Sequence, residues 1–188
     1  MAAGTESGVE RQRRIWRLAP WMMAALILLL PLVAMRFTDE VDWDATDFSV
    51  MGIMLLGACG LYEGTARTTG NLACRAAVAI ALVAAFLLVW INLAVGIVGS
   101  EDNPANLMFG AVLAVGIVGA LAARFEPHGM ARALAATALA QTLVGVIALI
   151  AGWGATGANG PWPLIVLTAV FAALWLASAR LFWKAGRG

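Results

Sequence analysis

The stretch from Ala133 to Ala179 contains no charged side chain, and it is too long for a single helix crossing a bilayer. A helix rises about 1.5 Å per residue, so a hydrocarbon core of about 30 Å takes roughly 20 apolar residues. A dense run of helix-breaking residues from Gly152 to Pro161 divides the stretch in two. The pattern therefore predicts two membrane-spanning helices, joined by a short polar loop.

The rest of the chain repeats this pattern. Of the 188 residues, 62% are hydrophobic and 12% are charged, whereas soluble domains are about half apolar and a quarter charged. The predicted fold class is all-α, a polytopic membrane helical bundle of six transmembrane helices. Barrel strands are excluded because the segments are about twice too long and lack alternation. The predicted spans are Trp16–Met35, Phe48–Ala66, Ala76–Val98, Asn106–Ala123, Ala131–Trp153 and Trp162–Leu181.

A single membrane domain is expected at residues 15–184, between a basic N-terminal tail at 1–14 and a short C-terminal tail at 185–188. The first span could instead be a cleaved signal peptide, because it follows the basic run Arg11–Arg14. Its long apolar run, Pro20 and Pro31 and the lack of a clean cleavage site favour retention.

The basic residues predict the orientation. With the N-terminus inside, eleven of the twelve Lys and Arg residues lie on the cytoplasmic side and only Arg36 lies outside. The expected location is a bacterial inner (plasma) membrane, with both termini cytoplasmic. Tryptophans at the predicted interfaces agree with this topology.

Three segments suggest an internal repeat of three helical hairpins. Arg17-Leu18-Ala19, Arg75-Ala76-Ala77 and Arg132-Ala133-Leu134 open the three outward helices at spacings of 58 and 57 residues. Spans two and four also share a glycine pattern. In span two, Gly60 and Gly64 form a small-x-x-x-small step, which we expect to pack inside the monomer in preference to a dimer.

Three polar residues inside the spans are candidates for an intramembrane polar or ion path. Glu63 is the only acidic residue within a span, and such carboxylates are functional candidates by default. The competing interpretation is an ion pair with Arg67, four residues later, or with Arg75 across the loop. Asn92 and Gln141 lie at other depths, and they could equally form interhelical hydrogen bonds.

Acidic residues collect in the outer loops, where they could attract cations. A calcium loop is excluded, because Asp47 and Ile53 stand where an EF-hand needs Gly and Glu. The alternative is a solvated loop that caps span two. The candidate cluster comprises Asp39, Glu40, Asp42, Asp44, Asp47, Glu101 and Asp102.

No catalytic, cofactor-binding or metal-ligating residue is predicted, and we expect no enzyme. His128 is a lone loop histidine, and Cys59 and Cys74 have no metal-ligand spacing with it. The net charge of +1 gives no reason to expect nucleic acid. The expected partners are the lipid bilayer and either a second copy or another membrane protein.

The stretch Trp90–Asn106 resembles one found in small uncharacterised bacterial membrane proteins with six spans. It covers about a tenth of the chain, and the resemblance implies no activity, cofactor or catalytic residue. The sequence predicts a non-enzymatic accessory, assembly or stress-related membrane component. A small channel or transporter for a cation or small solute is the alternative.

Overall fold

The computed structural model describes residues 3–99, 103–153 and 161–187, with side chains described from residue 18 onward. The described chain is helical and contains no strand. It divides into two compact units, unit 1 up to Arg67 and unit 2 from Thr68. The helices are α1 (Ala3–Ala34), α2 (Ala45–Thr68), α3 (Leu72–Ala94), α4 (Leu107–Ala122), α5 (Pro127–Ile150) and α6 (Trp162–Ala185).

Unit 1 consists of α1 and α2. The buried residues of α2 are Met51, Leu55 and Cys59. They are spaced four residues apart, so they form one stripe along the helix. The Cys59 thiol donates to the carbonyl of Pro20 in α1, 3.5 Å away. The stripe therefore faces α1.

In unit 2, α5 is the most enclosed helix. Of its most apolar 18-residue stretch 44% is buried, against 28% or less in every other candidate span. It packs against both α4 and α6, and α6 also packs against α3. Because α6 packs on both α3 and α5, it lies between them. The two central helices, α5 and α6, therefore carry the core.

Small residues bring these helices close together. A Cβ added to Gly119 of α4 would lie 2.7 Å from the Cβ of Ala133, and one added to Gly145 of α5 would lie 2.5 Å from Thr168. Both distances are below van der Waals contact. In a bilayer there is no hydrophobic driving force between helices, because lipid tails are as apolar as the side chains. Close packing of small residues is therefore a main source of helix association in membranes.

Helix α3 ends earlier than the sequence predicts, at Ala94 instead of Val98. Gly96 adopts a φ of +70°, which ends the helix. The backbone N–H groups of Ile97 and Val98 then donate to the side chain of Asn106, at 3.0 and 2.9 Å. Asn106 is buried and lies in a short 3₁₀ turn, Pro104–Asn106, before α4.

Five helices of the described chain are long and apolar enough to cross a membrane, namely α2, α3, α4 with its 3₁₀ turn, α5 and α6. In α1 the described apolar part is shorter, Leu18–Ala34. Large apolar side chains are exposed on all six helices, as expected of surfaces that face lipid. The fold is a helical membrane bundle. The consecutive helices α3 and α4 barely pack on each other, so a repeat of three packed hairpins is not visible in unit 2.

Candidate functional site

Glu63 lies within unit 1, where donors from α1 and α2 bind its carboxylate. The indole Nε1 of Trp21 in α1 donates to Oε2 at 3.0 Å, and the guanidinium of Arg67 donates to Oε1 at 2.6 Å. The Glu63 side chain is 22% exposed and that of Arg67 is 64% exposed. Charge-assisted bonds of this kind are about twice as strong as neutral ones.

The predicted pairing of Glu63 with Arg67 is confirmed, and Trp21 adds a bond that links the two helices. Partners of this kind stabilise the charged form of a carboxylate that is partly removed from water. Glu63 therefore has a structural role, because its bond to Trp21 links α2 to α1.

Asn92 lies in the last turn of α3. Its amide nitrogen donates to the carbonyl of Leu88 at 2.7 Å, a hydrogen bond within α3. Its carbonyl oxygen is buried without a hydrogen-bond partner among the described residues.

Gln141 lies in the middle of α5 and is fully buried. No described protein group hydrogen-bonds either its amide nitrogen or its carbonyl oxygen. Because α5 and α6 run antiparallel with Gly145 opposite Thr168, Gln141 lies one turn further along, between the levels of Thr168 and Trp175. The Thr168 hydroxyl and the Trp175 indole N–H are likewise buried and unpartnered in the described chain.

Gln141, Thr168 and Trp175 lie within about two helical turns of one another along α5 and α6, and we call this set of residues the Gln141 layer. Buried polar groups are nearly always hydrogen-bonded, so each exception needs an explanation. Together the layer offers donors from the indole, the hydroxyl and the amide, and acceptors from the amide and the hydroxyl. It could bind a water molecule or a small polar solute, but it holds no charge that would bind a bare ion.

Of the three residues in this layer, only Gln141 is predicted from the sequence. Thr168 and Trp175 are seven residues apart, two turns on one face of a helix, and this spacing was the available signal. Ser178 is likewise not predicted. Its hydroxyl donates to the carbonyl of Ala77 at 2.7 Å and joins α6 to α3. Glu63 belongs to unit 1, whereas Asn92 and Gln141 belong to unit 2.

The acidic residues from Asp39 to Asp47 are exposed, and two of them, Asp44 and Asp47, cap α2. The Asp44 carboxylate accepts from the N–H groups of Thr46 at 2.6 Å and Asp47 at 3.0 Å, while the Asp47 side chain accepts from the N–H of Asp44. This reciprocal arrangement is a capping box. Backbone hydrogen bonds from Asp47 and Thr46 lower the pKa of Asp44.

No group of three acidic, histidine or cysteine side chains in the described chain converges on a metal-sized site. Glu101 and Asp102 lie outside the described residues. His128 is in the first turn of α5, not in a loop, because the helix begins at Pro127. Its exposed ring lies 5.0 Å from that of Trp183. Cys59 and Cys74 are free thiols.

The glycines of α2 differ from those of unit 2. A Cβ added to Gly57, Gly60 or Gly64 would meet no described atom within 4 Å, and all three are exposed. They lie on the side of α2 away from the stripe that faces α1. Gly60 and Gly64 therefore do not pack against α1, and their packing inside the monomer stays a prediction.

No protein-family model, no curated protein and no solved structure matches the chain. The resemblance of Trp90–Asn106 to bacterial six-span proteins therefore stays a prediction. The chemistry of the candidate sites rests on their geometry.

Proposed function

We propose that this chain is a non-enzymatic component of a bacterial inner membrane, and that it associates with another transmembrane helix through the glycine face of α2. The glycine face is defined by Gly57, Gly60 and Gly64, with Ile53 beside them. The proposal includes six spans, with α1 as the first, and both termini in the cytoplasm, as the distribution of Lys and Arg favours.

The observation that carries the proposal is the open glycine face. Glycines let two helix backbones approach closely, and they are enriched where transmembrane helices meet. In unit 2 this use is visible, because Gly119 and Gly145 are in close contact with neighbouring helices. On α2 the same residue type leaves a shallow groove, and Ile53 beside it is 70% exposed. A helix of a partner protein fits this surface.

Site-specific photocrosslinking in intact membranes tests the proposal. A photoreactive residue at Ile53 should give a defined protein adduct, and Gly60→Ile in the same chain should abolish it by blocking close approach. The control position is Val83 of α3, which is also exposed and should crosslink only to lipid. An adduct of twice the chain mass would identify a second copy as the partner. Absence of any protein adduct at Ile53 would contradict the proposal.

The Gln141 layer favours a second candidate function, the passage or binding of a small polar solute. Three buried polar groups that no described residue hydrogen-bonds are costly in hydrocarbon unless another group bonds them. A path for cations is less well supported, because Glu63 is bound by Trp21 and Arg67.

Reconstitution into liposomes separates the two candidates. Transport predicts flux of a cation, a proton or a small solute that falls on Gln141→Leu. If the flux instead falls on Glu63→Gln, the path would be assigned to unit 1. Absence of flux for every species tested would refute transport of those species.

A further inference from the structure

Helices α5 and α6 form an apolar groove at the end of the bundle where α5 begins and α6 ends. The groove has a volume of about 270 Å³ and opens toward the surroundings of the protein. Alanines line it on both helices, together with Leu176 and Trp183, which are each 43% exposed. Its volume is slightly below the range of about 300–1,000 Å³ typical of ligand pockets.

Two arginines border this groove. Arg132 of α5 and Arg180 of α6 both line it, and they lie at the same level because the two helices are antiparallel. Both are exposed, and no carboxylate in the described chain forms an ion pair with either. Glu126, just before α5, is outside the lining. The lining of the groove is thus apolar, and two arginines lie at one level on the helices that form it.

The indole of Trp183 marks this end of the bundle as an interface position. Arg187 lies over its ring at 5.5 Å from the centroid, which adds a third cation beside the groove. Tryptophan is typical of the level where lipid headgroups meet acyl chains. Arginine at this level packs its alkyl chain on apolar surface and keeps its charged end in water.

We propose that the groove binds one anionic phospholipid. The lipid phosphate lies between Arg132 and Arg180, and one acyl chain lies along the alanines between α5 and α6. Basic pockets between transmembrane helices recognise anionic headgroups in this way, and arginine binds phosphate oxygens with two parallel N–H donors. An apolar chain matches the floor, which a free phosphate would leave uncovered. The site is separate from the glycine face and from the Gln141 layer.

Titration of the full chain in detergent, followed by native mass spectrometry, tests the site. We expect one phosphatidylglycerol molecule to bind more tightly than phosphatidylcholine. Replacing both arginines, with Arg132→Gln and Arg180→Gln, should weaken binding about 30-fold, from about 1 kcal/mol for each arginine at a membrane surface and 1.4 kcal/mol for each tenfold change. Arg124→Gln removes an arginine outside the groove and should leave the affinity unchanged.

A second pair of variants tests the acyl chain without touching the charges. Ala135→Phe fills the groove and should weaken phosphatidylglycerol binding, whereas Ala136→Phe, on an exposed position outside the lining, should not. Equal affinity for phosphatidylcholine would overturn the proposal. So would displacement of the lipid by an equal concentration of inorganic phosphate, full binding by Ala135→Phe, or an equal loss in Arg124→Gln. Because Ala135→Phe keeps both arginines, the proposal stays testable if the double variant fails to fold.

Discussion

Substitution of Gly145 by alanine tests whether close packing of α5 on α6 holds unit 2 together. The new Cβ would lie 2.5 Å from both Cγ2 and Oγ1 of Thr168 and 3.0 Å from its Cβ. Ordinary contact needs about 3.5 Å, so the two helices must separate by about 1 Å or Thr168 must rotate. Overpacking of this kind costs about 1–3 kcal/mol. The gain from replacing glycine within a helix is about 0.5–1 kcal/mol, so we expect a net loss of about 1–2 kcal/mol.

Reversible unfolding in mixed micelles, titrated with a denaturing detergent and followed by circular dichroism, measures this loss. Gly60→Ala is the matched control, because the same change at Gly60 meets no described atom within 4 Å. It should not destabilise the protein. Adding Thr168→Ala to Gly145→Ala removes both atoms at 2.5 Å and should restore most of the stability.

Two results would refute the reasoning. If Gly145→Ala proved as stable as Gly60→Ala, α5 and α6 would not be in the close contact described. If Thr168→Ala failed to restore stability, the loss would arise from something other than this contact. A double-mutant cycle separates these outcomes, because the coupling energy of Gly145→Ala and Thr168→Ala isolates their interaction.

Further predictions concern single hydrogen bonds and one backbone conformation. Ser178→Ala removes the bond to the Ala77 carbonyl and should lower stability in the same assay by about 1 kcal/mol. Arg124 has a φ of +49°, so Arg124→Gly should raise stability by about 1 kcal/mol. Asp44 has a lowered pKa, so protection of the Thr46 amide against hydrogen exchange should be present above pH 3.8, the ordinary value, and lost as pH falls through the lowered pKa. Asp44→Asn should remove this pH dependence, because asparagine caps a helix without titrating.

The apolar stretches predicted where the helices lie, but not where they end. Helix α5 begins at Pro127, four residues before the predicted span. The helix extends beyond the apolar stretch, and its start is set by the proline, which is favoured in the first turn of a helix. Hydropathy detects the part of a helix that lies in lipid, not the part that extends into water. The loop that follows α3 is held by Asn106, eight residues beyond Val98, and such a contact has no local signature.

The candidate sites were predictable to the extent that their contacts are local. The pair Glu63–Arg67 follows from a spacing of four residues on one helix. The bond from Trp21 to Glu63 joins residues 42 positions apart, and it requires knowing how α1 and α2 face each other. The same holds for Thr168 and Trp175. Their spacing of seven residues places them on one face of α6, but only the packing shows which helix that face meets.

Substitutions at the two sets of glycines should have different effects on stability and on association. In unit 2, alanine at Gly119 would place its Cβ 2.7 Å from that of Ala133, so any added atom there must disturb the fold. On the glycine face of α2 an added atom meets nothing described, so Gly60→Ile should leave unfolding unchanged while abolishing the crosslink at Ile53. A substitution that removes association without affecting stability is expected only if the glycines serve a partner. If Gly60→Ile instead destabilised the isolated chain, the face would be covered within the protein itself, and the proposed partner helix would have no surface to bind.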